Sequence, residues 1–342
     1  MNRNRILFIK VSDSSFINED EKLLKRHFEV ETYFYGTETG MKAGVSMVKM
    51  ILFLLFNIRK FSTLYIWFAD YHSLIPSFFS YLFNKKIFIV LGGFDVAKIP
   101  DLNYGAHVSR IRSLFIRASC HFANGLIAVS EYVKGEAEKQ IGKKIIQKTK
   151  VIYNAVDLSV FRDVNELREN QVLYVSAAED KRRAQIKGID RLIEIAVQVP
   201  EYQFLLIGVS DLFIEQKMGL SIPNNIQIFP FLKKDDLLEL YNKSKVVLQL
   251  SVIESFGLAV VEAMACACVP VVSDVGGLKE IVNNNLGYTV DRTSDQQIIA
   301  SIKDALYTYD VKSIQSKKSV QERFSISIRE KQILDFISGV CF

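Results

Sequence analysis

Short apolar runs of strand length alternate with segments of helical periodicity along nearly the whole chain. Strands that alternate with helical segments are typical of parallel sheets covered by crossover helices. The pattern therefore predicts an α/β protein with two doubly wound domains. The predicted strands are 6–9, 30–35, 63–67, 87–91, 125–129 and 150–153 in the first half, and 171–175, 203–207, 226–229, 246–250, 269–273 and 287–290 in the second.

A charged segment at 158–170 separates the two series of strands and is predicted to be a linker. We expect a first domain at 1–165 and a second at 166–324. The segment that follows has apolar residues at helical spacing. It predicts a terminal helix at about 325–342, which we expect to pack back on the first domain.

Composition narrows the class of protein without changing this picture. The 342 residues are 49% hydrophobic and 24% charged, which excludes a disordered chain and a small disulfide scaffold. The four cysteines form no Cys-x-x-Cys pair, and Cys266-Ala267-Cys268 is a poor metal clip, so reduced thiols in a cytoplasm are expected. The apolar run 50–56 is far shorter than the roughly 20 residues of a spanning helix, so no transmembrane segment is expected.

Charge is unevenly spread along the chain. Residues 1–165 hold 23 Lys and Arg against 15 Asp and Glu, whereas the remainder is slightly acidic. Arg110, Arg112 and Arg117 alternate with apolar residues, which is typical of a helix at an anionic membrane surface. An ordinary solvated helix face is the alternative interpretation, and the sequence leaves both open.

The segment 251–265, Ser-Val-Ile-Glu-Ser-Phe-Gly-Leu-Ala-Val-Val-Glu-Ala-Met-Ala, carries the clearest chemistry. A strand ends before it, Gly257 lets the backbone approach a ligand, and a helix is predicted from about Leu258. The free N–H groups of a helix N-terminus suit a diphosphate. Glu254 lies just outside that helix and Glu262 within it, where both carboxylates can accept hydrogen bonds from sugar hydroxyls.

The pattern Glu254-x7-Glu262 resembles the signature of the retaining GT4-type glycosyltransferases, which have the GT-B fold. Further similar segments are Val-Pro-Val-Val-Ser at 269–273, Gly-Gly at 276–277, Ile-Ala-Val-Ser-Glu at 127–131 and Val-Ile-Tyr-Asn-Ala-Val-Asp at 151–157. The resemblance implies two Rossmann-like domains that face each other across a cleft. It also implies that the first domain binds the acceptor and the second binds a nucleotide-sugar donor.

The resemblance implies roles for single residues of the second domain. Glu262 would hold the ribose hydroxyls and Glu254 the donor sugar ring. Backbone N–H groups of Phe256, Gly257 and Leu258 would hold the sugar and the diphosphate. Ser255, Gly188 and Phe231 complete the predicted donor-binding set.

Two cations are expected at the donor diphosphate, where they would neutralise the leaving group without a metal ion. Lys187 of the pair Lys187-Gly188 matches the lysine of the family. Ala177-Ala178-Glu179 stands where the family has Gly-Arg, so the arginine role falls on Arg182 or Arg183. No metal or cofactor is expected beyond the nucleotide-sugar co-substrate.

On the acceptor side, Gly92, Gly93 and Asp95 follow the strand 87–91, where the family commonly has a His-bearing segment that this chain lacks. Asp95 is expected either to orient or deprotonate an acceptor hydroxyl or to cap a helix. His72 and His107 flank this strand in sequence and are candidates for the cleft, with a purely structural role as the alternative.

The motifs of other enzyme classes are missing. No Gly-x-Gly, P-loop, His-Glu-x-x-His, Gly-x-Ser-x-Gly or aromatic nucleic-acid ladder occurs. The resemblance implies a retaining hexosyltransferase that moves a sugar from a UDP- or GDP-sugar to a glycan or lipid-linked acceptor in cell-surface polysaccharide or glycolipid biosynthesis. We expect it in the cytoplasm, at the inner face of the membrane. A GT-B nucleotide-sugar epimerase and a non-catalytic GT-B partner subunit are the alternatives.

Overall fold

The computed structural model describes residues 5–36 and 41–339. The chain divides into two compact units, one that runs to Asn154 and resumes at Arg329, and one at Ala155–Ile328. Each unit contains one six-stranded, fully parallel sheet. Two doubly wound α/β units are the architecture of the predicted GT-B fold class.

The first unit has a sheet in the order β2-β1-β3-β4-β5-β6. Its strands are β1 (Arg5–Lys10), β2 (Glu29–Phe34), β3 (Thr63–Trp67), β4 (Lys86–Leu91), β5 (Gly125–Ala128) and β6 (Thr149–Val151). Its crossover helices are α1 (Ser15–Lys25), α2 (Met41–Asn57), α3 (Tyr71–Leu82), α4 (Arg110–Phe122) and α5 (Glu131–Ile141). Because parallel crossovers are right-handed, α1 covers one face of the sheet and α2 to α5 cover the other.

The second unit has a sheet in the order β12-β11-β10-β7-β8-β9. Its strands are β7 (Glu169–Val175), β8 (Gln203–Ile207), β9 (Ile226–Phe229), β10 (Ser244–Gln249), β11 (Val269–Ser273) and β12 (Tyr288–Val290). Its helices are α6 (Lys181–Lys187), α7 (Ile189–Gln198), α8 (Lys234–Lys243), α9 (Leu258–Ala265), α10 (Leu278–Ile281), α11 (Asp295–Tyr307) and α12 (Tyr309–Arg323).

The twelve predicted strands are confirmed, and their bounds differ from the predictions by no more than two residues. The apolar runs are continuous because both faces of a parallel sheet are covered, so the central residues of β1, β3 and β4 are fully buried. Most of the predicted linker has no regular structure, and its last two residues begin β7.

The terminal helix α13 (Ile326–Gly339) confirms the predicted helix, and Arg329 anchors it within the first unit. The buried guanidinium donates to both carboxylate oxygens of Asp20, at 2.6 and 2.7 Å. Tyr65 and Trp67 donate to the same carboxylate. The buried charges are therefore paired and hydrogen-bonded, as burial requires.

Within residues 5–36 and 41–339, no helix combines the length and the apolar character needed to cross a bilayer.

Candidate active site

The order of strands in the second unit marks where a ligand would bind. The chain runs from β7 outward through β8 and β9 and then returns to β10 on the other side of β7. In open parallel sheets, such a reversal leaves a crevice at the carboxyl ends of the two neighbouring strands. The loops that follow β7 and β10 therefore define the candidate site of this unit.

The loop after β10 holds Glu254 and is shaped by glycines. Gly257 adopts a φ of 101° and leads into α9, which begins at Leu258 as predicted. Gly276 has a φ of 50°, and a Cβ at this position would lie 2.0 Å from the carbonyl oxygen of Glu254. The N–H of Gly277 donates to the same carbonyl at 2.9 Å. The Gly-Gly pair is thus needed because its backbone packs directly on the Glu254 loop.

Lys187 and Glu254 meet at this site. The Lys187 Nζ lies 2.7 Å from the Glu254 Oε2, and the two side chains are 35% and 14% exposed. Glu254 Oε1 also accepts from the N–H of Ser255 at 3.2 Å. One cation and one carboxylate therefore stand together beside the N-terminus of α9, where a diphosphate and a sugar hydroxyl would each find a partner.

Buried polar groups behind the site fix the backbone at Lys187. The Tyr174 hydroxyl donates to the Lys187 carbonyl at 2.5 Å and accepts from the N–H of Leu250 at 3.0 Å. Gly188 has a φ of 75°, and a Cβ there would lie 2.1 Å from the Leu250 carbonyl oxygen. The end of α6 is therefore held against the end of β10. Sequence reasoning missed Tyr174, because its only signal is one hydroxyl in the apolar second half of β7.

Glu262 lies on α9 and is partly buried. Its Oε2 accepts from the Tyr241 hydroxyl at 3.1 Å, and burial raises the pKa of the Glu262 carboxyl to about 7, against the opposing effects of Tyr241 and Lys234. Tyr241 is fully buried and is a second residue that the sequence did not single out. At neutral pH the carboxyl is thus poised between its two protonation states.

The other predicted donor residues are spread around this loop. The Phe256 side chain is buried against Phe324 at 5.5 Å between ring centroids, so only its backbone is a candidate for ligand contact. Ser255 and Leu258 are partly exposed. Phe231 follows β9 and is 81% exposed.

Arg182 and Arg183 lie on the exposed side of α6, where the Arg182 guanidinium is 3.9 Å from Asp180 and that of Arg183 is 3.0 Å from Glu179. The choice between these two arginines at the diphosphate stays open.

In the first unit, Asp95 is buried and its carboxylate is occupied by backbone groups. It accepts from the N–H of Gly93 at 2.7 Å, of Ala69 at 3.1 Å and of Gly92 at 3.2 Å. No helix begins at Asp95, so the helix-cap alternative is wrong. Burial raises the pKa of Asp95 to about 6, although these N–H groups oppose the shift. The carboxylate ties the loop after β3 to the loop after β4, and a role toward an acceptor hydroxyl remains a prediction.

The two candidate histidines are also buried. The His72 ring nitrogen Nε2 lies 3.1 Å from the Trp67 carbonyl, and burial lowers the pKa of His72. The His107 Nδ1 lies 2.8 Å from the Ser113 hydroxyl, and burial lowers the pKa of His107 to about 4. Burial therefore favours the neutral form of both rings, and each ring has a partner within the first unit.

The structure corrects the prediction that Arg110, Arg112 and Arg117 together form an exposed basic helix face. Arg112 is partly buried: its Nε donates to Asp70 at 2.7 Å, its Nη2 pairs with the same carboxylate, and the guanidinium lies over the ring of Phe94. Arg110 and Arg117 are exposed. The prediction failed for Arg112 because the partner lies 42 residues away in sequence and is brought near only by the packing of α3 on α4.

Within the part of the chain that the structure describes, no group of three or more His, Cys, Asp or Glu side chains is arranged to hold a metal ion.

Comparison with known proteins shows which family part of the chain is similar to. Residues 160–319 match the family model described as glycosyl transferases group 1. This segment includes Lys187, Glu254 and Glu262. An uncharacterized glycosyltransferase of Methanocaldococcus jannaschii is 29% identical over 171 residues, which cover 49% of this chain and 45% of that protein. The chain spans about half the length of the curated relatives it matches.

Two solved structures share the fold over nearly the whole chain. Sucrose-phosphate synthase from Thermosynechococcus elongatus superposes with a TM-score of 0.80 at 15% identity and covers 99% of each chain. HepE of Anabaena, in complex with UDP and glucose, superposes with a TM-score of 0.74 at 18% identity and covers 98% of this chain and 99% of its own. The GT-B fold of this chain is thereby confirmed.

Proposed function

We propose that the protein transfers a sugar from a nucleotide-sugar donor, a UDP- or GDP-sugar, to an acceptor hydroxyl with retention at the anomeric carbon. The observation that carries this proposal is the Lys187–Glu254 pair at the carboxyl ends of β7 and β10. It lies at the strand reversal of a unit that matches the family model of the group 1 glycosyltransferases. The complex of HepE with UDP and glucose supports a donor of this class.

The proposed chemistry needs charge neutralisation at the leaving group. The N–H groups at the start of α9 bind the diphosphate, and Lys187 leaves Glu254 to neutralise the negative charge that develops as the sugar departs. Glu254 is then free to accept a hydrogen bond from a sugar hydroxyl. The acceptor attacks from the face that the diphosphate leaves, and the departing phosphate takes the proton of the acceptor hydroxyl. Because Lys187 and the N–H groups supply the positive charge, the proposal needs no metal ion.

The acceptor is proposed to be a glycan or a lipid-linked sugar in cell-surface polysaccharide or glycolipid biosynthesis. The excess of basic residues in the first 165 residues supports contact between the first unit and an anionic membrane, at the inner face of the cell membrane. The archaeal glycosyltransferase, sucrose-phosphate synthase and HepE lend no support to the epimerase alternative.

A thermal-shift screen with UDP-, GDP-, ADP- and TDP-sugars tests the donor class. A ligand at 100 times its dissociation constant stabilises the folded state by about 2.7 kcal/mol, which gives a clear rise in the unfolding temperature. The nucleotide-sugar that stabilises the protein is then supplied with a label at the anomeric carbon of its sugar. Release or transfer of that sugar is followed by NMR. Stabilisation without any turnover would favour a non-catalytic subunit, and no stabilisation by any of the four classes would contradict the proposal.

A further inference from the structure

The outer faces of α2, α3 and α4 in the first unit expose large apolar side chains that the proposed sugar transfer does not use. On α2, Val45, Val48, Leu52, Leu55 and Phe56 are each about half exposed or more, and Phe56 reaches 80%. These positions recur at helical spacing, so they form one stripe on the side of α2 away from the sheet. A solvated surface helix would carry polar residues along this stripe.

The neighbouring helices α3 and α4 also expose large apolar side chains. Right-handed crossovers place α2, α3 and α4 on the same face of the sheet, and α3 packs against both other helices. Tyr81 of α3 and both Ile111 and Leu114 of α4 are well exposed. We call this surface the α2–α4 face; its main apolar residues are Val48, Leu52, Phe56, Tyr81, Ile111 and Leu114. This many large exposed apolar side chains on adjacent helices point to a binding surface.

Positive charges predominate around the α2–α4 face. Residues 41–130 contain ten Lys and Arg but only three acidic residues, and no Asp or Glu lies within α2, α3 or α4. Of the three, Asp70 is paired with Arg112 and Asp95 is buried among backbone N–H groups. The exposed Lys49, Arg110 and Arg117 therefore lack a compensating negative surface on these helices.

We propose that the α2–α4 face docks on an anionic lipid bilayer, with the apolar stripe of α2 seated at the boundary between headgroups and acyl chains. An apolar helix face bordered by Lys and Arg fits such a boundary, because the acyl region takes the apolar side chains and anionic headgroups pair with the cations. The inference deepens the membrane contact in the proposed function and rests on it.

Two observations favour a peripheral bilayer contact over other occupants. A second copy of the chain on this face would place one basic surface against another, since a two-fold interface uses the same patch on both subunits. A spanning helix is excluded for α2, because its other side is used inside the unit: Met50 and Leu54 are fully buried, and Phe53 packs on Tyr33 at 4.9 Å.

Vesicle sedimentation with the full chain tests the inference. The wild type is expected to sediment with phosphatidylcholine vesicles that contain phosphatidylglycerol, to bind pure phosphatidylcholine far less, and to release at high salt. The double variant Leu52→Ser/Phe56→Ser is expected to lose about tenfold or more of its affinity for the anionic vesicles. The matched control Leu212→Ser/Tyr307→Ser removes two large side chains of the second unit that are at least as exposed, and it is expected to bind like the wild type.

Circular dichroism and a thermal shift with the stabilising nucleotide-sugar establish that both double variants are folded. Equal vesicle binding by the wild type and Leu52→Ser/Phe56→Ser, or no binding by the wild type at low salt, would overturn the inference. A vesicle-free dimer that dissociates only in Leu52→Ser/Phe56→Ser would overturn it in favour of an interface between copies. Vesicle binding and sugar transfer are separate readouts, so failure here leaves the proposed sugar transfer standing and removes only the proposed membrane contact.

Discussion

Lys187 and Glu254 form an ion pair, and the proposed donor would bind to both side chains. A diphosphate offers Lys187 a stronger anionic partner, and a sugar hydroxyl offers Glu254 a donor in place of the ammonium. In the proposed mechanism, the donor replaces this 2.7 Å contact with one new contact to each side chain. The backbone under Lys187 does not need to move, because Tyr174 and Leu250 hold it.

The variant Lys187→Ala tests the charge of this lysine. If Lys187 acts mainly as the diphosphate leaves, kcat should fall by about 100-fold or more, whereas donor affinity falls much less. Steady-state kinetics and calorimetry with the donor separate the two effects. Lys303→Ala, an exposed lysine on α11, serves as the control and should match the wild type. An unchanged kcat with a raised KM would make Lys187 a binding residue and contradict the proposed mechanism.

Glu262 provides a pH-dependent test, because its pKa is raised to about 7 by burial. Ribose hydroxyls donate best to the ionised carboxylate, so protons compete with the nucleotide below pH 7. Nucleoside-diphosphate affinity of the wild type should fall by up to tenfold for each pH unit below 7, relative to Glu262→Gln, whose amide does not titrate. Calorimetry from pH 5.5 to 8.5 measures both proteins. Parallel profiles would remove Glu262 from the ribose site.

The pH dependence of folding stability provides a second test of Glu262, and the raised pKa fixes the direction of the expected effect. The pKa of Glu262 is higher in the folded state than its ordinary value of 4.5. Its contribution to the free energy of unfolding is therefore complete below about pH 4.5 and is lost as the pH rises through about 7. Glu262→Gln should accordingly gain unfolding temperature over the wild type at pH 8 and show little such gain at pH 4.5.

At the scale of elements, the sequence predicts the strands well because buried parallel strands need continuous apolar runs. It also predicts the start of α9, since Gly257 follows a strand and precedes a helix-forming run. The pair Gly276-Gly277 is visible in the sequence, but its reason is not. Only the structure shows that its backbone packs on the carbonyl of Glu254, 22 residues earlier in the chain.

Side-chain contacts between different helices, strands and loops could not be predicted from the sequence. Tyr174, Tyr241 and the Asp70–Arg112 pair each join residues far apart along the chain, and no local pattern distinguishes them. Asp95 shows the same limit, because its position after β4 suggested either a catalytic carboxylate or a helix cap, whereas its oxygens bind the backbone of two loops. Long-range hydrogen bonds, rather than residue type, decide what these side chains do.

At the scale of the whole molecule, chemistry and charge are divided between the two units. The second unit contains the Lys187–Glu254 pair and the group 1 segment, and it carries a slight excess of acidic residues. The first unit carries the basic excess and the apolar α2–α4 face. This division assigns the nucleotide-sugar to the second unit and the lipid surface to the first, as separate proposals.

The central claim is that the nucleotide of the donor binds at the carboxyl ends of β7 and β10. Hydrogen–deuterium exchange of the full chain, with and without saturating UDP or whichever nucleoside diphosphate stabilises it, tests this directly. We predict slower exchange at 186–189, in the loop 250–257 and in the first turn of α9, because the ligand would cover the backbone N–H groups there. Protection confined to other segments, with these three unchanged at saturation, would contradict the account.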